Sequence, residues 1–94
     1  MLNMTTIRKA RKSVFLRIMT AEHMVEEIVA LRWRRRSTRN PEELAKIGKV
    51  VGDLSTELRA LSNRTVNLML AIDLACDIVA EEIRGRLADK NRRN

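Results

Sequence analysis

A chain of 94 residues carrying a formal charge of +7 and an isoelectric point near 10.8 makes one domain at most, at a size where a second copy often supplies missing burial. Its 45% apolar content comes almost wholly from aliphatic residues and methionine, with two aromatics, three glycines and one proline, which favours long helices over sheet. One cysteine, Cys76, excludes an intrachain disulfide and a cysteine-rich zinc site; its apolar neighbourhood predicts a small buried packing residue in a reducing, cytoplasmic setting.

The first predicted element is a helix over 5–37. A sevenfold column of Ile7, Val14, Ala21 and Ile28, flanked by Ala10, Met24 and Leu31 and by Ile18 and Val25, forms the apolar stripe of an amphipathic helix, with Thr5 or Thr6 as its cap. Its most apolar window, 14–31, carries Arg17, Glu22, His23, Glu26 and Glu27, too many charged or polar side chains for a membrane span. The basic, acid-free stretch before Glu22 resembles an organelle transit peptide in composition but runs on into the amphipathic pattern, and no signal peptide is expected.

A turn follows at 38–40. Pro41 biases Asn40 away from helical angles and then fits the first turn of a new helix, with Asn40 as N-cap and Glu43 as its capping-box partner. The second helix is expected over 41–88, with a break near 62–65 as the alternative because Ser62, Asn63 and Thr65 compete for backbone hydrogen bonds. Its apolar positions alternate steps of three and four through Leu44, Ile47, Val51, Leu54, Leu58 and Leu61, then Thr65, Leu68, Ile72, Ala75 and Val79. That is a coiled-coil-like seam, read as the oligomer seam. Beside it Ala45, Gly48, Gly52 and Ser55 form a small-residue column, which predicts that another helix backbone passes close on that side. Beyond Val66 the helix is apolar on more than one face and calls for two partners. A basic tail is expected over 89–94. The fold class is therefore all-α: an elongated helical hairpin or three-helix bundle, associating as a homodimer.

The charge pattern carries the functional reading. Arg32, Trp33, Arg34, Arg35, Arg36 and Arg39 crowd the end of helix one, and no acid lies three or four residues before any of the first four arginines. Arg39 has Glu42 and Glu43 downstream. Arg8, Lys9, Arg11 and Lys12 form a second cluster with no acid before Glu22. By contrast Glu81 with Arg84, Glu82 with Arg86, and Asp89 with Arg92 and Arg93 stand at helical pairing distances. Two unneutralised clusters on one helix point to phosphate-backbone binding on duplex DNA or structured RNA, with Trp33 as the one aromatic offered for stacking. The rival reading is a protein-interaction module docking on an acidic partner, and a third is attachment of the basic N-terminal helix to anionic lipid.

Two short resemblances bear on this. ELRALSNRTVNLML, residues 57–70, resembles the second half of helix-turn-helix regulators, which implies that Ser62 caps a recognition helix and that Arg64, Thr65 and Asn67 face bases. Arg17 and His23, six apart, resemble the Arg and His of small helical ribonucleases of the HEPN type. No catalytic constellation, cofactor site or metal site is expected. Asp73 and Asp77 on helix two, and Glu22 and Glu26 on helix one, are read as ion-pair partners for Arg17, Arg59 or Arg64 across an interface.

Overall fold

The computed structural model describes residues 3–93 and contains two helices, α1 (Met4–Ser37) and α2 (Pro41–Arg93), folded into a hairpin. Asn3, not Thr5 or Thr6, caps α1: its Oδ1 accepts from the Thr6 backbone N–H at 2.9 Å and from the Thr6 hydroxyl at 3.2 Å. Thr6 serves from inside the helix. At the turn, Asn40 Oδ1 accepts from the Glu42 N–H at 3.0 Å, as its cap role predicts, but Glu43 does not close a capping box. Its carboxylate instead accepts from Arg34 at 2.8 Å, tying the end of α1 to the start of α2.

The seam forms within the chain. Ile47, Val51, Leu61, Thr65 and Ala75 are buried, and the remaining seam residues Leu44, Leu54, Leu58, Leu68, Ile72 and Val79 are half-buried, all on the side that meets α1. From α1 come buried Ile7, Val14 and Ile28 and half-buried Ala10, Ala21, Met24 and Leu31; Ile28 packs against Ile47 and Val51. Each helix carries its stripe at alternating threes and fours, so the two stripes stay in contact along the whole of α1. Arg17 occupies the one charged position in this column and donates from Nη1 to the Arg64 carbonyl at 3.4 Å.

The helix does not break at 62–65. Thr65 turns its hydroxyl back onto the Leu61 carbonyl at 2.7 Å, which satisfies it inside the seam without interrupting the backbone. With no turn there and Thr65 buried against α1, the helix-turn-helix resemblance fails in structure. Among the described residues a third helix is likewise not formed.

Three further expectations change. Residues 89–93 continue α2 instead of forming a tail; Asn94 lies outside the described residues. Cys76 is exposed, because it stands one residue past the seam position Ala75 and so turns onto the flank. Within the chain no helix covers the small-residue column either, since a Cβ built on Gly48 or Gly52 meets nothing within 4 Å.

At 1.5 Å per residue, the 53 residues of α2 reach about 80 Å and the 34 of α1 about 51 Å. The molecule measures 80 × 16 × 15 Å, so α2 is the rod and α1 covers part of it. Past Val79 every described side chain is exposed, which leaves the last part of α2 as an overhang.

Candidate nucleic-acid interface

Both basic clusters lie on α1, and their placement follows from the hairpin. Arg32 to Arg36 close the C-terminal turns of α1, where positive side chains complement the helix dipole, while Arg39 stands in the three-residue connection. Arg34 faces Glu43 and is spoken for. Among the described residues Arg32, Arg35, Arg36 and Arg39 make no ion pair, and the same holds for Arg8, Lys9, Arg11 and Lys12. One guanidinium of the group is therefore neutralised by its own chain and the rest face solvent.

The two clusters are 24 residues apart on a continuous helix, about 36 Å. Each surrounds an exposed aromatic. Phe15, 61% exposed, sits in a shallow hollow with Arg8, Lys9, Arg11 and Lys12, and Trp33, 70% exposed, shares another with Val29, Arg32 and Arg36. Phe15 lies outside both runs of charge in the sequence, so the charge pattern alone misses it. Its spacing is the signal that finds it: it stands 18 residues before Trp33, five helical turns, hence on the same side of α1.

The antiparallel fold adds cations that the linear sequence separates from both clusters. The start of α1 lies toward the C-terminal half of α2, so Arg84, Arg86, Lys90 and Arg92 on the overhang extend from the end of the rod that already holds Arg8 to Lys12. Of the local pairs expected there, Glu81 with Arg84 forms, at 3.1 Å; Glu82 with Arg86 and Asp89 with Arg92 do not, and the side chain of Arg93 lies outside the described residues. Positive charge is thereby gathered at both ends of the molecule.

Other candidates do not assemble. Arg17 is held in the seam, and exposed His23 lies 3.9 Å from Glu26, so the pair reminiscent of HEPN ribonucleases does not converge. Among the described residues no three His, Cys, Asp or Glu side chains come together, and Asp73 and Asp77 make no ion pair within the chain. No helix is long and apolar enough to cross a membrane among the described residues. Compared with protein families, with characterised proteins and with solved structures, the chain matches none.

Proposed function

We propose that this protein is a non-catalytic nucleic-acid-binding accessory or regulatory protein that grips the phosphate backbone with its arginine and lysine clusters. The observation that carries the reading is a pair of basic clusters, Arg8 to Lys12 and Arg32 to Arg36, unpaired within the chain but for Arg34 and set about 36 Å apart on one helix, close to the ~34–36 Å repeat of a B-form duplex. A rod that meets phosphates once per turn suits duplex DNA better than a single strand, for which two aromatics make a poor stacking platform. Structured RNA is a second substrate of the same chemistry. Self-association in the cytoplasm would place two such sets of clusters on one body.

Binding of a mixed-sequence duplex, followed by fluorescence anisotropy across a salt series, tests this. Affinity should fall steeply as salt rises, with a slope of about −0.9 per phosphate neutralised. Replacing Lys12, Arg35 and Arg39 by Gln should lower that slope by roughly one for each cation that no longer meets a phosphate, while helicity is kept. Binding that ignores both salt and these substitutions would reject the reading and favour the alternative, a protein-interaction module docking on an acidic partner. That alternative draws support from the outward-facing Leu16, Met19, Leu70 and Leu74.

A further inference from the structure

A folded monomer of 10.8 kDa has a surface of about 5,500 Å², whereas this chain exposes 8012 Å². The excess of about 2,500 Å² is well above the roughly 800 Å² that each partner buries in a standard interface. Among the described residues no side chain is completely enclosed.

The uncovered surface is organised. One flank of the hairpin is an open groove, with hollows of about 610 and 470 Å³, between an α1 edge formed by Ile18, Glu22, Val25 and Val29 and an α2 edge formed by Ser55, Arg59, Ser62 and Val66. Both edges belong to second stripes with the same alternation of threes and fours as the seam. On α2 this second stripe starts with Ala45, Gly48 and Gly52, passes Val66 and Met69, and continues to Ile83 and Leu87. The seam, in contrast, meets Glu82, Arg86 and Asp89 after Val79. The seam therefore ends beside the start of α1, and the second stripe runs on along the overhang to Leu87. Its occupant must be about as long as α2.

We infer that the groove is the contact face of a homodimer related by a two-fold axis along the rod, with α1 of each copy laid over α2 of the other and the two overhangs side by side. A second copy is the partner that supplies an α2-length helix, and the charges choose the arrangement. Within the chain Arg17 meets Arg64 and Ile28 meets Val51, so a residue of α1 and a residue of α2 stand at the same height when their numbers sum to about 80. With the axis along the rod, each α1 residue faces the residue of that height on the partner's α2. Glu22 then faces Arg59, and Arg8 faces Asp73. The bulky Val29 and Arg32 meet the glycines at 52 and 48, while Phe15 meets Val66.

The antiparallel alternative stacks α1 on α1 and α2 on α2. With its axis at the height of Glu22 and Arg59, near the middle of α1, it would bring Glu22 toward Glu22, Arg59 toward Arg59, and Arg8 and Arg11 toward Arg36 and Arg32. Like charges across an interface oppose binding. The dimer follows from the uncovered surface and does not rest on the nucleic-acid reading; its groove stripe takes up Arg8, Arg11, Arg32 and Arg36 and leaves Lys9, Lys12, Arg35 and Arg39 free for a polyanion.

The test is sedimentation equilibrium of the full chain without nucleic acid. Twice the 10.8 kDa chain mass is expected at micromolar concentration. Glu22→Arg and Arg59→Glu should each weaken the dimer by about tenfold or more, and combining them should restore it; neither residue makes an ion pair within its own chain, so the hairpin itself loses nothing. Val29→Glu with Val66→Glu should dissociate it, whereas Leu74→Glu, exposed on the opposite side of α2, should not. In a Cys76→Ser background, Leu87→Cys should form an intermolecular disulfide under mild oxidation, which parallel overhangs allow and antiparallel ones do not. A well-folded monomer over the same range would overturn the proposal, as would failure of the double charge reversal to restore association.

Discussion

Gly52 and Gly85 are both helical glycines beside open space, but Gly52 lies on the second stripe of α2 and Gly85 on neither stripe. Glycine costs a helix interior about 1 kcal/mol against alanine, so Gly85→Ala should raise stability by about that amount in thermal or urea unfolding. Gly52→Ala should gain less, because a partner's Val29 would meet the added methyl group. Equal gains at the two positions would mean that the column stays uncovered in solution. At Asn3, Ala should cost about 1 kcal/mol through loss of the two hydrogen bonds that start α1, and circular dichroism at rising urea would show it. Such single-residue features are the hardest to read from sequence. Thr5 and Thr6 are accepted cap types, though weaker than Asn3, and what decides among them is where the backbone leaves helical angles. Glu43 fits a local capping motif equally well, but a guanidinium nine residues earlier in the chain claims it across the turn.

At the level of elements, the period of the pattern makes the hairpin legible. Eleven positions from Leu44 to Val79 keep one phase, and all are buried or half-buried against α1. Pro41 after Asn40 marks the turn for a steric reason that tertiary packing does not override. Only 89–93 escape the sequence pattern, because the first stripe has ended at Val79 and the second at Leu87, so that no apolar position marks the last turns of α2. Ile18 and Val25 fall beside the core stripe of α1 if the helix has a single apolar face, yet both are exposed on the groove. Hydrogen exchange separates the two segments of α2. Amides of 44–75 should be the better protected at any one concentration, and those of 80–93 should gain protection as concentration rises. Protection of 80–93 that does not depend on concentration would remove the partner from the account of why this segment is helical.

For the whole molecule, the decisive quantity is how little of it one hairpin encloses. The radius of gyration is 22.2 Å, against about 12 Å for a compact domain of this length, and α1 shields one side of α2 over part of its extent. The basic ends make association harder, since a +7 chain repels its copy, and salt screens that repulsion. Dimer formation and duplex binding should therefore respond to salt with opposite signs, the first strengthening and the second weakening. If most of the apolar burial comes from the second chain, unfolding and dissociation become one step, and the melting temperature must depend on protein concentration. At about 0.7 kcal/mol of unfolding enthalpy per residue, two chains of 94 residues give about 130 kcal/mol, so each tenfold increase in concentration should raise the midpoint by about 4 °C. Scans from 1 to 100 μM, about two decades chosen to span a micromolar constant, would show about twice that displacement. A midpoint that stays fixed across the range would show that a single hairpin, with its groove open to water, is stable by itself, and the excess surface would then need another explanation.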